Sequence, residues 1–140
     1  MYDLQVTFTG QPTTATREVT IEAHTENYIY TYTFTLNRWF VNKNVAQNWE
    51  DAKTTCNSDG SLPLIKDLTS ATESGRTGER MTGNVFGEWG NTLAVFRTLV
   101  WTSEVNSLFF DNIAIVFMDT GRLQEQSKNT NGYVVCRIDL

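Results

Sequence analysis

Histidine is almost missing from this chain, with His24 the only one, and proline is limited to Pro12 and Pro63. A single histidine in an alternating strand pattern leaves hydrolysis or group transfer without its usual base, and no nucleophile, base and orienting group can be assembled around it. Two carboxylate pairs, Glu50 with Asp51 and Glu73 with Glu79, lie in polar segments where nothing buries or couples them. There is no Gly-rich phosphate loop, no metal-ligand spacing and no catalytic serine signature. The chain therefore reads as non-enzymatic, with no cofactor and no metal.

Basic residues are the minority: 11 Lys and Arg stand against 16 Asp and Glu, for a net charge of −5. That sign argues against nucleic acid or an anionic membrane as partner, because either requires a basic patch. It leaves protein partners open. No apolar run approaches the ~20 residues of a membrane-spanning helix, and the N-terminus has neither the basic nor the apolar part of a signal peptide. The chain is accordingly expected to be a piece of a longer protein, with the segment that exports or anchors it lying outside. The two cysteines, Cys56 and Cys136, leave two alternatives: one disulfide of an exported protein, or two buried thiols.

What the chain has in quantity is Thr, Ser, Asn and Gly, together with 4 Trp, 5 Tyr and 8 Phe. This is the composition of a β-rich exported protein, and 140 residues amount to one domain, or one domain and a fragment. Leu4, Val6 and Phe8 alternate, as do Val19, Ile21 and Ala23. Tyr28 to Val41 then gives the longest strand pattern, with Tyr28, Tyr30, Tyr32, Phe34 and Leu36 on one face and Thr31, Thr33 and Thr35 on the other. The period breaks at Asn37 to Phe40, where the main domain should begin.

Trp49, Ala52 and Cys56 are three and four apart and predict one face of a helix, from about Val45 to Asn57 with Asn44 as its cap, that stops near Asp59-Gly60. Leu62 to Ile65 reads as extended. Thr69 to Gly83 is polar and reads as a surface loop. Val85, Phe86 and Trp89 predict the apolar side of a second short helix. Val100 to Ser103, Asn112 to Met118 and Tyr133 to Ile138 read as strands, with a turn at Asp119 to Gly121. Val105 to Asp111 and the polar run Gly121 to Gly132 read as two further loops.

The order of these features resembles a known family. A helix ending in Cys56 is followed by Gly60, Leu62 and Pro63, then Gly87-Glu88-Trp89-Gly90, Trp101-Thr102-Ser103, a strand, a turn at Gly121 and a terminal Tyr133-Val134-Val135-Cys136-Arg137. From about Trp39 to Leu140 this is similar to the C-type-lectin-like domain that closes the intimin and invasin adhesins of Gram-negative surfaces. The resemblance implies an α+β fold with two short helices on small antiparallel sheets, long loops, a Cys56–Cys136 disulfide, and Trp49, Trp89 and Trp101 in the core. Residues 1–37 resemble the end of the preceding immunoglobulin-like domain, or are extra strands of a lectin-like domain at 38–140.

In lectins of this fold that use calcium, Glu-Pro-Asn or Gln-Pro-Asp and Trp-Asn-Asp triplets build the ion and sugar cage. None occurs here. Asp111, Asn112 and Asp119 are too few for a cage and read as turn and strand-end residues. The function implied is a calcium-independent adhesin tip on the bacterial surface that binds a host cell-surface or secreted protein, membrane-linked only through an N-terminal anchor outside this chain. A structural cap of the stalk and a calcium-independent glycan lectin are the alternatives. Binding would fall to the loops: Arg76, Glu79 and Arg80 in the first, Leu108, Phe109, Phe110 and Asp111 in the second, and Arg122, Gln124 and Lys128 in the third.

Overall fold

A computed structural model describes residues 7–89, 92, 96–105 and 111–140. Leu4, Val6, Leu108, Phe109 and Phe110 lie outside the described residues. The chain divides into two units, Met1–Trp39 with Asp139–Leu140, and Phe40–Ile138.

The first unit is built on a hairpin of β1 (Glu18–His24) and β2 (Ile29–Thr35), paired in register from Glu18 opposite Thr35 to His24 opposite Ile29. Opposite residues of an antiparallel pair share a face. Val19 with Phe34, Ile21 with Tyr32 and Ala23 with Tyr30 therefore form an apolar face, while Thr20 and Thr33 meet on the other, their hydroxyls 2.9 Å apart. The hairpin turns at Thr25 to Tyr28, where Thr25 N–H donates to the Tyr28 carbonyl at 2.8 Å and Tyr28 N–H to the Thr25 hydroxyl at 3.0 Å. Tyr28, Tyr30 and Tyr32 remain 61–66% exposed. The end of the chain belongs to this unit: Leu140 N–H donates to the Asn37 carbonyl at 3.1 Å and the Arg17 guanidinium donates to the Leu140 carbonyl at 3.0 Å.

The five-stranded sheet runs in the order β3-β7-β4-β5-β6, from β3 (Arg38–Gln47), β4 (Leu99–Val105), β5 (Asn112–Phe117), β6 (Arg122–Ser127) and β7 (Gly132–Asp139). β4, β5 and β6 are antiparallel neighbours, but β7 lies parallel to β4, so the sheet is mixed rather than purely antiparallel. Side chains alternate across it. Trp101, Ile113, Ile115, Val134 and Cys136 point into one core with Trp49, Ala52, Cys56 and Leu62 of the first helix and the segment after it. Val100, Ala114, Val116 and Val135 point into a second core with Leu68, Ala71 and Val85. The sheet is buried on both faces.

Three short helices are described: α1 (Trp49–Cys56), α2 (Ile65–Leu68) and α3 (Val85–Trp89). Trp49, Ala52 and Cys56 are the buried face of α1, as their spacing predicts, and Cys56 is bonded to Cys136. The start of α1 differs from expectation. Its cap is Asn48, whose side chain accepts the Asp51 N–H at 3.0 Å, while Val45 to Gln47 belong to β3. Asn44 sits at φ +54° with its N–H held by the Asn42 side chain at 2.8 Å, a bend that asparagine tolerates within a strand. The Gln47 carbonyl receives the Trp101 indole N–H at 2.8 Å, which fixes this end of β3 at the core.

Two more expectations are corrected. Trp89 is 58% exposed: the five-residue α3 buries Val85 and Phe86 and turns Trp89 outward. The segment Gly121 to Gly132 is not a loop throughout, because Arg122–Ser127 pairs along β5 as β6. Gly121 makes the turn at φ +64°, and a side chain there would collide with the Phe86 ring.

Candidate functional site

The first candidate group and two residues of the third, Arg122 and Gln124, meet at one end of the β5–β6 hairpin. The loop after α2 lies along the β6 edge: Gly75 N–H donates to the Leu123 carbonyl at 2.7 Å and Leu123 N–H to the Arg76 carbonyl at 2.9 Å. The turn is tied to the same loop by the Gly78 N–H and the Thr69 hydroxyl, both donating to the Gly121 carbonyl, at 2.9 and 2.6 Å. These bonds use main chain, so the Arg76 side chain stays on the surface with Glu73 at 3.5 Å. Glu79 is exposed and its N–H donates to the Ser70 hydroxyl at 2.7 Å. Arg80 reaches the Phe86 carbonyl at 3.4 Å.

Arg122 and Gln124 share a face of β6 and line a cleft of about 300 Å³ with Thr77, Phe117, Asp119 and Thr120. With its amide oxygen turned toward Arg122, Gln124 accepts from the guanidinium at 3.1 and 3.3 Å.

Asp111 and Lys128 lie at the opposite end of the hairpin, about 17 Å away at 3.4 Å per residue. They are paired twice: Lys128 N–H donates to the Asp111 carbonyl at 2.8 Å, and its ammonium sits 2.7 Å from the Asp111 carboxylate. The Lys128 carbonyl in turn accepts the N–H of Trp49, the first residue of α1, at 3.0 Å. Hydrogen bonding to Asp111, and then its charge, hold the Lys128 ammonium above the usual lysine value. The Lys128 main chain thus ties the start of α1 to the hairpin, while the Asp111 side chain stays 76% exposed on the surface. The other three residues of the second group, Leu108, Phe109 and Phe110, lie outside the described residues.

Sequence reasoning missed a groove of about 480 Å³ between α2 and the turn before α3, lined by Ile65, Lys66, Ala71, Met81, Asn84 and Glu104 among others. Met81 is 52% exposed, and Trp89 stands on α3 nearby in sequence. A usable signal was Asn84 three residues before Gly87: an asparagine cap for α3, whose side chain accepts the Gly87 N–H at 2.7 Å. Among the described residues no three His, Cys, Asp or Glu side chains converge as a metal ion would require.

No protein-family model and no curated protein sequence matches the chain. Its backbone superposes on the crystal structure of invasin, described as a bacterial integrin-binding protein, with a TM-score of 0.66 over 88% of this chain. The chain has an invasin-like fold. Sequence identity to invasin is 20%, so the likeness is one of fold, and the match spans a quarter of the invasin chain (25%). The family resemblance read from the sequence thus has a counterpart in the fold. On the invasin-like scaffold the candidate residues separate into a cleft at Arg122 and Gln124, an ion pair at Asp111 and Lys128, and surface side chains at Arg76, Glu79 and Arg80.

Proposed function

We propose that this chain is the tip of a bacterial surface adhesin: a non-enzymatic C-type-lectin-like domain at residues 38–140, preceded by strands of an immunoglobulin-like region, that binds a host protein without calcium. The observation that carries this reading is the fold shared with invasin, a protein described as binding integrin. The two-faced core and the Cys56–Cys136 bond supply a rigid scaffold, which is what loop-borne recognition needs. The exposed Tyr28, Tyr30 and Tyr32 face fits the stalk side of the proposal, since a two-stranded hairpin is marginal alone and an immunoglobulin-like sheet buries one face. The absence of the calcium-cage triplets supports metal-free binding.

The test is binding of the fluorescent chain to cultured epithelial cells. Saturable binding that persists in chelator and disappears after the cells are treated with trypsin is expected. Binding that survives trypsin and is competed by soluble glycans overturns the protein-receptor assignment. No saturable binding at all would instead support the structural cap.

A further inference from the structure

The sequence contains a single Asn-Gly pair, Asn131-Gly132. Asn131 is exposed and stands between the turn that follows β6 and the first residue of β7. That turn closes one residue earlier, where the Thr130 N–H and the Thr130 hydroxyl both donate to the Ser127 carbonyl, at 3.0 and 2.7 Å. No hydrogen bond among the described residues holds the Asn131 side-chain amide. Its neighbour is glycine for a packing reason: Gly132 is buried, and a β-carbon there would come within 2.7 Å of Trp101 Nε1 and 2.9 Å of Leu99 Cδ2. The core thus forces an unshielded backbone nitrogen to follow an exposed asparagine.

The chemistry of that pair needs only water. The Gly132 nitrogen, on losing its proton, bonds to Asn131 Cγ; the Cγ–Nδ2 bond breaks, and the amide nitrogen takes up the proton and leaves as ammonia. Water then opens the resulting succinimide at either carbonyl. One opening gives aspartate. The other gives isoaspartate, whose main chain runs through the former side chain and is longer by one methylene. The Asp59-Gly60 pair could cyclise in the same manner but is held: the Gly60 N–H donates to the Cys56 carbonyl at 2.8 Å, and the Asp59 carboxylate is paired with Lys43. We propose that Asn131 is a site of spontaneous deamidation, yielding mainly isoaspartate, and that Asp59 is protected from the equivalent change. The product adds a negative charge to a chain of net charge −5. Isoaspartate also lengthens the main chain directly before Gly132, where Trp101 leaves no room for a shift toward it. A surface reaction thereby reaches the core, at the start of the strand that carries Cys136.

The test ages the whole chain, disulfide intact, in mildly alkaline buffer beside Asn131→Ser. Isoelectric focusing should show an acidic form that accumulates with time and faster at higher pH, because the attacking nitrogen must lose its proton. Tryptic digestion after reduction releases the peptide Asn129–Arg137, in which fragmentation separates Asn131 from Asn129. The change should map to Asn131, with isoaspartate exceeding aspartate, and should be absent from Asn131→Ser. The isoaspartyl form should unfold at a lower temperature than fresh protein. Freshly purified Asn131→Asp, which has the charge without the added methylene, should keep the wild-type unfolding temperature, as exposed substitutions generally do. An Asn131 that stays intact in the folded chain while it converts in urea overturns the proposal, since the fold would then protect it. Conversion spread evenly over the other asparagines, or isoaspartate forming at Asp59 as fast as at Asn131, overturns it as well. An isoaspartyl form that unfolds together with fresh protein overturns the link to Trp101.

Discussion

Replacing both cysteines by alanine tests whether the Cys56–Cys136 bond is the main covalent constraint on the domain. The bond closes a loop of 80 residues, joining the last residue of α1 to β7. For a loop of that length the chain-entropy model gives about 4.5 kcal/mol at 25 °C, nearly all of it from restricting the unfolded chain. Both sulfurs are fully buried, so their removal adds a smaller packing loss in the same direction. A domain of this size has a total stability of about 5–15 kcal/mol, which makes the bond roughly 30–90% of it. At a urea slope of about 1.5–2 kcal/mol/M, the midpoint of Cys56→Ala/Cys136→Ala should fall by about 2–3 M. The slope itself should rise, because an uncrosslinked unfolded chain exposes more surface. Reduced wild type should behave the same way. A midpoint shift below about 0.5 M with an unchanged slope would refute the reasoning.

Two tryptophans should respond unequally to substitution. Trp101→Phe strands the Gln47 carbonyl and opens space in a fully buried site, and should cost about 2–4 kcal/mol in thermal unfolding. Trp89→Ala, on a 58% exposed side chain, should cost less than about 0.5 kcal/mol; equal losses would refute the placement. The exposed Lys128–Asp111 pair contributes to the alkaline limb of stability. Because Lys128 titrates above its unfolded value, its contribution is complete below that value and is lost as pH rises through the folded one. Asp111→Asn should flatten the fall of stability at high pH, and an unaltered alkaline limb would refute the linkage.

What was legible in the sequence is what packing dictates. Trp49, Ala52 and Cys56 announce a helical face because only that spacing buries all three, and Asn112 to Met118 reads as a buried strand because it is apolar on both sides, with β5 ending one residue earlier at Phe117. β6 was illegible because Arg-Leu-Gln-Glu-Gln-Ser buries only Leu123. Its strand character comes from hairpin pairing with β5 and from the Gly75 and Arg76 main chain, the latter a long-range contact. Asn44 misled because asparagine serves equally as a cap and as a left-handed bend, and the choice is made by Asn42 and by the pull of β3 into the sheet. Trp89 misled because residue type predicts burial only on average. The groove at Asn84 was hidden for a different reason: its lining comes from α2, the turn before α3 and the end of β4, which no local pattern brings together.

The two faces of the sheet are secured by different chemistry. On one side α1 is held by the disulfide and by the Trp49 indole, which donates to the Thr102 carbonyl at 2.9 Å. On the other side the α2 layer has polar tethers. Buried Asp67 accepts the Leu64 N–H at 2.9 Å and the Arg137 guanidinium at 3.0 Å, and Thr69 reaches Gly121 at 2.6 Å. A buried ion pair contributes little net stability against an apolar replacement, but removing one partner is costly, so such a contact fixes geometry more than it adds free energy. Arg137 follows Cys136 on β7, and the same carboxylate that holds it also caps α2. The position of α2, and with it the Lys66 and Ile65 wall of the groove, is thereby referred to the strand that the disulfide anchors. The α1 side is thus tied covalently to β7, and the α2 side is held in register by hydrogen bonds and the Asp67–Arg137 ion pair.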